Sequence, residues 1–358
     1  MSRAVGEFAV LEGLPEAVVV LAALATQLGD VWFVFLLLGL AYWFGDELPA
    51  PVALDRRRAA FAVALGVGAN AATTTLKEWL SYPRPPGADE AVGRELVPAL
   101  VEPLYTAAAT GSGFGFPSGH AVAATVVYGG RRRAAPGADE AVGRELVPAL
   151  VEPLYVGAAT GSGFGFPSGH ALAATVVYGG LALLVGGRRA YAGAAAVVAV
   201  VSLSRVVLRV HYLVDVVVGI AVGSVFLAAA YGLGGRGSNP GRVFALALIV
   251  ALFGPVLGAY DFRTMASLGG ALGARLAWGV VGGAVVHEKT TRAGGAVSAA
   301  VGAAFGGLFG VVYAAEPAPH VAFLAVAVVL GGVLAAPLAG GAVARWVRAR
   351  RTRLAGTS

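Results

Sequence analysis

The sequence predicts an all-α polytopic membrane protein, a helical bundle with about nine transmembrane helices. Hydrophobic residues make up 58% of the 358 residues and charged residues 13%, and the mean hydropathy of +0.77 is far too high for a soluble domain of this length. The apolar residues form runs of about 20, the length that an α-helix needs to cross the hydrocarbon core of a bilayer. Basic clusters separate many of these runs, as they do in polytopic membrane proteins.

The composition also excludes several functional classes. The chain has no cysteine, which excludes disulfide and thiolate chemistry, and no His, Asp and Glu cluster has the spacing of a metal site. We therefore expect chemistry without a metal or other cofactor. The net charge of +6 lies mostly in arginines outside the apolar runs, where it indicates membrane orientation rather than a nucleic-acid partner. The oligomeric state is not indicated.

The first apolar run covers residues 17–44 and is interrupted only by Gln27 and Asp30. We interpret it as one long span. Alternatively, Asp30 caps a second helix that follows a short interfacial one, because aspartate is a good N-cap and a charge in the middle of a bilayer is costly. We expect no removable signal peptide, since residues 1–16 carry no basic region or cleavage site.

The second span is predicted over residues 58–80. The triplet Arg56–Arg58 precedes it, and Pro83 and Pro85 prevent the helix from continuing. By the positive-inside rule the arginine triplet is cytoplasmic, so the far end of this span reaches the extracytoplasmic side of the cell membrane.

The remaining spans follow at regular intervals. They are predicted over residues 168–186, 190–208, 211–232, 243–260, 264–286, 293–315 and 321–344. The basic clusters between them fall on one side, which predicts an external N-terminus and a cytoplasmic C-terminus. We divide the chain into an N-terminal segment with the first span (1–57), a core (58–232) and a glycine-rich extension with a basic tail (233–358).

Polar residues with a catalytic spacing occur at 204–215. Ser204, His211 and Asp215 are seven and four residues apart, so they would share one face of a helix. A carboxylate one turn beyond an imidazole can fix its tautomer and leave the other ring nitrogen free as a nucleophile or base. Arg205 adds a permanent charge that suits phosphate oxygens. Alternatively, this is a helix end with snorkelling charges.

A tandem duplication lies upstream of this pattern. Residues 86–130 recur at 136–180 with three differences, so Pro-Ser-Gly-His occurs at 117–120 and at 167–170. The apolar run that follows the first copy would be roughly 20 Å long as a helix, too short for about 30 Å of hydrocarbon. We therefore assign Ser168 and His170 to the site and interpret 86–136 as an extra outer loop.

Three patterns appear in the order KxxxxxxRP (77–85), PSGH and SRxxxxxHxxxD (204–215). Together they resemble the signature of the type 2 phosphatidic acid phosphatase family, which shares its site with vanadium haloperoxidases. The resemblance covers about residues 60–230. It implies a metal-independent membrane phosphatase. It also implies that His211 is the nucleophile that forms a phosphohistidine, Asp215 its orienting carboxylate, and His170 the general acid.

The phosphate would be held at the outer membrane surface. The resemblance implies that Lys77, Arg84 and Arg205 bind its oxygens. Ser168 is expected to cap the helix that begins at Gly169, so that free backbone N–H groups point at the phosphate.

A site at the mouth of membrane spans suits a lipid phosphate or a polyprenyl pyrophosphate as substrate. The alternatives are a lipid phosphotransferase or a sugar-phosphate phosphatase with the same site, or a non-catalytic protein inactivated by the duplication. Ser118 and His120 of the first copy have no assigned role, and neither has Arg275, which lies within a predicted span. The spacing of Gly302, Gly306 and Gly310 predicts close helix packing.

Overall fold

The computed structural model describes residues 6–11, 14, 16–50, 52–85, 164–288 and 291–355. In these ranges the regular elements are helices, which confirms the predicted all-α fold. In chain order the α-helices are α1 (Glu7–Val10), α2 (Glu16–Thr26), α3 (Val31–Phe44), α4 (Arg56–Leu80), α5 (Gly169–Val185), α6 (Arg188–Val207), α7 (Leu213–Leu233), α8 (Pro240–Leu257), α9 (Phe262–His287), α10 (Arg292–Ala315) and α11 (Pro319–Ala355).

Seven of the described helices, α4 and α6–α11, are long and apolar enough to cross a membrane. This agrees with a polytopic membrane protein. The apolar helix α5 has 17 residues and would be roughly 25 Å long. The count of nine spans is not confirmed, because α5 is shorter than the others and residues 17–44 do not form one helix.

The prediction of a single long span over 17–44 is wrong. A short 3₁₀ turn, Gln27–Gly29, separates α2 from α3, and Asp30 is the N-cap residue of α3. The side chain of Asp30 makes no capping hydrogen bond. Gln27 and Asp30 are only 7% and 6% exposed, so the break places both polar residues inside the protein rather than in lipid. The chain therefore follows the alternative in which Asp30 begins a second helix.

Helix α4 lies at the centre of the bundle, where it packs against α3, α5, α8 and α9. The small side chains of its alanines and glycines allow these four helices to pack closely against it. A Cβ on Gly66 would lie 2.5 Å from Leu38 Cδ1, so a larger residue there would require the Leu38 side chain to move. The helix ends at Leu80, and Ser81 adopts the left-handed conformation with φ of 51°.

The C-terminal helices α9 and α10 both pack against α11. The closest approach is between α9 and α11, because a Cβ on Gly269 or Gly273 would overlap the α11 backbone. Of the glycines spaced by four in α10, Gly302 packs on the indole of Trp43, whereas Gly306 has no neighbour within 4 Å of the position of a Cβ. The predicted packing role therefore holds for Gly302 and not for Gly306.

Candidate active site

The first motif meets the second where α5 begins beside the last turns of α4. A Cβ on Gly169 would lie 2.5 Å from Thr73 Cγ2 and 3.6 Å from Lys77 Cε. Only glycine therefore allows the two helices to approach this closely. The consequence is that the Lys77 side chain reaches the N-terminus of α5.

The segment after α4 is tied to the segment before α5. Gly165 donates its backbone N–H to the carbonyl oxygen of Tyr82 at 2.8 Å, and the rings of Tyr82 and Phe166 meet edge to face, with centroids 5.5 Å apart. A Cβ on Gly165 would lie 3.0 Å from Arg84 Cα. These contacts bring Arg84 next to the Pro-Ser-Gly-His motif, although the two are far apart in sequence.

The third motif joins the second through the first turn of α7. Ser168 donates its backbone N–H to the carbonyl oxygen of Asp215 at 2.9 Å. A Cβ on Gly219 would lie 2.6 Å from the carbonyl oxygen of Ser168, so this glycine lets α7 pack onto the start of α5. The three motifs therefore form one cluster.

Ser168 occupies the N-cap position of α5, but its side chain does not cap the helix. The hydroxyl is fully buried and makes no hydrogen bond within the described residues. The first backbone N–H groups of a helix also have no intrahelical partner. An unused hydroxyl thus lies beside free N–H groups at the positive end of a helix dipole, an arrangement that suits an anion.

Ser204, His211 and Asp215 do not share a helix face, so that prediction is wrong. Helix α6 ends at Val207, and Arg209 has a positive φ of 56°. The chain turns back, and the N–H groups of residues 210 and 211 both approach the carbonyl oxygen of Arg205, at 3.2 and 3.3 Å. A turn, rather than helical periodicity, holds His211 near the first turn of α7.

His211 is buried between a carboxylate and a guanidinium. Its Nδ1 lies 3.5 Å from Asp215 Oδ2, and its Nε2 lies 3.2 Å from Arg84 Nη1. Because a guanidinium has only donors, Nε2 must be the acceptor, so the proton of the neutral imidazole is assigned to Nδ1, facing Asp215. Asp215 is fixed in turn, since its Oδ2 accepts the backbone N–H of Tyr212 at 3.0 Å.

The electrostatic environment keeps His211 neutral. Burial lowers the pKa of His211 well below its ordinary value, and the positive charges of Arg84, Arg205 and Lys77 lower it further. Burial and the charge of Arg263 lower the pKa of Arg84 to about 10, against the opposing effect of Asp215. At neutral pH the site therefore holds a neutral imidazole beside a charged guanidinium.

The break between α2 and α3 contributes two residues that the sequence motifs do not contain. Arg205 is buried and donates from Nη1 to the hydroxyl of Thr26 at 3.0 Å. His170 Nε2 lies 3.8 Å from Asp30 Oδ2. The sequence signal was the interruption of an apolar run by polar residues, which indicated a helix start but not a partner.

The C-terminal extension contributes Arg263, in the first turn of α9, whose charge acts on Arg84. Arg275 is twelve residues further along the same helix, roughly 18 Å away, and does not belong to the cluster. Ser118 and His120 lie outside the described residues. Within the described ranges no group of three or more His, Cys, Asp or Glu side chains comes together as a metal site would require.

These observations define a polytopic helical membrane protein with one buried and one partly buried imidazole grouped with cations at the ends of its helices. Residues 132–236 match the family model described as the PAP2 superfamily. This agrees with the resemblance to type 2 phosphatidic acid phosphatases and supports a phosphatase-type activity on phosphate esters. No curated protein and no solved structure matches the chain significantly.

The matched segment contains the second Pro-Ser-Gly-His, at 167–170, and the motif at 204–215. It begins after the first copy at 117–120 and does not include Lys77 or Arg84.

Proposed function

We propose that this protein is a metal-independent membrane phosphatase that hydrolyses a lipid phosphate or a polyprenyl pyrophosphate through a phosphohistidine. The observation that carries the proposal is the orientation of His211. Its Nε2 lone pair points toward Arg84, and its Nδ1 faces Asp215. A neutral, oriented imidazole with a cation at its nucleophilic nitrogen is what attack on a phosphate ester requires.

In the first step, His211 Nε2 attacks phosphorus. The N–P bond forms, and the P–O bond to the leaving group breaks with its electron pair on oxygen. His170 donates its proton to that oxygen. The imidazole of His211 becomes positive, and Asp215 at 3.5 Å stabilises that charge.

In the second step, water attacks the phosphohistidine. His170, now neutral, takes a proton from the water as the new O–P bond forms and the N–P bond breaks. Inorganic phosphate leaves, and both histidines return to their starting protonation states. The site thus completes a cycle with its own side chains and water.

The phosphate oxygens would be bound by the cations Lys77, Arg84 and Arg205. The hydroxyl of Ser168 and the backbone N–H groups from Gly169 onward would add uncharged donors. Preorganised donors of this kind stabilise the charge that develops in the transition state, and loss of one typically costs on the order of 100-fold to 1,000-fold in rate. The unused Ser168 hydroxyl supports this assignment.

Two exposed aromatic residues support a lipid substrate. Trp79 is 53% exposed and Tyr82 is 48% exposed, and both lie between Lys77 and Arg84 in the sequence. Tryptophan and tyrosine are enriched at the headgroup level of membranes, which is the depth of a lipid phosphate. We propose that this end of α4 faces the extracytoplasmic side, because Arg56–Arg58 lie at its other end.

The test is release of inorganic phosphate by the purified protein in detergent with a metal chelator present. The substrate panel is a phosphatidic acid, a polyprenyl pyrophosphate and glucose 6-phosphate. We expect release from one of the two lipids, abolished in His211→Ala and unchanged in His320→Ala, a control at an exposed histidine of α11. No release from any substrate, or transfer of phosphate only to an added alcohol, would contradict the proposed hydrolase.

A further inference from the structure

We infer that Asp30 is a positioning residue for His170 and that the break between α2 and α3 completes the active site. The inference rests on the proposed function, since it assigns His170 a proton to transfer. It goes beyond the three sequence motifs, because Asp30 lies outside all of them and outside the segment that matches the superfamily model.

The first observation is the contact between the buried side chain of Asp30 and the partly buried side chain of His170. Asp30 Oδ2 lies 3.8 Å from His170 Nε2, and Asp30 Oδ1 and His170 Nε2 have no hydrogen-bond partner among the described residues. A buried carboxylate is costly unless an opposite charge compensates it. The pair resembles the contact of Asp215 with His211, at 3.5 Å, so each of the two site histidines faces its own carboxylate.

The second observation is that the break is held in place by contacts at Thr26, Leu28 and Gly29. Tyr178 of α5 donates its hydroxyl to the carbonyl oxygen of Leu28 at 2.7 Å, and Arg205 of α6 donates to Thr26 at 3.0 Å. A Cβ on Gly29 would lie 2.5 Å from Val201 Cγ1 and 3.3 Å from the carbonyl oxygen of His170. Contacts with both α5 and α6 therefore fix the segment that leads into Asp30.

The charges around His170 explain why a carboxylate is needed. Arg205 from α6 and Lys77 from α4 act on it as cations, and the His211 imidazole lies in the same cluster. Both cations disfavour a proton on His170, although a general acid must carry one. Asp30 is the anion that acts on His170. Because it faces Nε2, it leaves Nδ1 to protonate the leaving oxygen.

The test compares Asp30→Asn with the wild type on two substrates. A short-chain phosphatidic acid releases a poor leaving group that needs a proton, whereas p-nitrophenyl phosphate releases a stable phenolate that does not. We expect kcat/KM to fall on the order of 10-fold to 100-fold for the phosphatidic acid and much less for p-nitrophenyl phosphate. Asp55→Asn, the same chemical change at the N-cap of α4, should alter neither value, because asparagine is an equally good cap.

A double variant separates positioning from a purely structural role. If Asp30 acts through His170, adding Asp30→Asn to His170→Ala should cause no further loss of activity on the phosphatidic acid. Equal losses on both substrates, or a further loss in the double variant, would overturn the inference. If the wild type is active and Asp30→Asn is fully active, this inference is overturned and the proposed function is not. A wild type that releases no phosphate would overturn the proposed function and this inference together.

Discussion

Arg84 Nη1 lies 3.2 Å from His211 Nε2, so the guanidinium occupies the approach that a substrate phosphorus would take to the proposed nucleophile. The same Nη1 donates to the carbonyl oxygen of Val210 at 3.0 Å, which fixes it on the turn that carries His211. A bound phosphate would therefore replace the imidazole as a partner of Arg84, and the guanidinium would guide the phosphate to Nε2.

Arg84→Lys should lower kcat/KM on the order of 10-fold to 1,000-fold although the positive charge is kept. The ammonium is a point charge and cannot contact the Val210 carbonyl and a phosphate with the geometry of a planar fork. The measurement is kcat/KM for the best substrate of the panel. Arg242→Lys, at an exposed position in the first turn of α8, is the control. Full activity in Arg84→Lys would exclude fork geometry as the reason for the arginine.

His211→Ala should abolish turnover and any acid-labile phosphoenzyme, because the nucleophile is gone. Asp215→Asn should leave a folded but slow enzyme, since it removes the charge that stabilises the imidazolium. Phosphoenzyme trapping with labelled substrate measures both effects. A fully active His211→Ala variant would end the assignment of the whole site.

Activity should be independent of divalent metal and inhibited by vanadate. The proposed pocket binds a phosphate-like oxyanion with cations and backbone donors of the chain. Phosphate release with and without chelator, and titration with vanadate, are the measurements. Loss of activity in chelator that added metal restores would count decisively against the mechanism.

The duplicated motif gives a comparison within one chain. His170→Ala should cost on the order of 100-fold or more in rate, and His120→Ala little. Deletion of residues 86–135 joins Pro85 to Pro136, restores the ordinary motif spacing and should preserve activity. A dead His120→Ala with an active His170→Ala would mean that the first copy supplies the site.

The stability of the protein should fall in mild acid in a way that depends on His211. The folded state lowers the pKa of His211, so the unfolded chain binds a proton at a higher pH than the folded one. The contribution to stability is therefore present above the unfolded pKa of about 6.5 and is lost as pH falls. Thermal unfolding between about pH 7 and pH 5 should show a smaller decrease in Tm for His211→Gln, which has no titrating group at this position. An equal decrease in the two proteins would contradict the burial of a neutral imidazole.

The spans and the motif residues could be predicted because both depend on local sequence. Insertion of a helix into a membrane depends on the apolar content of one segment, so the predicted span 190–208 and the observed helix Arg188–Val207 nearly coincide. The prediction of one span over 17–44 failed because its polar interruption was compatible with either one long helix or two shorter ones. The sequence alone allowed Asp30 to lie within one span, and only the packing of neighbouring helices provides it with its partner His170.

The sequence by itself determined an all-helical membrane bundle, and its motifs predicted the residues that we propose bind and attack a phosphate ester. Only the tertiary structure decided which of them meet. Helical periodicity placed His211 on the wrong element, because the Arg205 carbonyl and the left-handed Arg209 form a turn that no residue spacing encodes. The tertiary structure also brought Asp30 close to His170 and placed Arg263 where its charge acts on Arg84. The physical reason is that contacts between segments distant in sequence depend on how closely helices pack, here through glycines such as Gly29, Gly169 and Gly219.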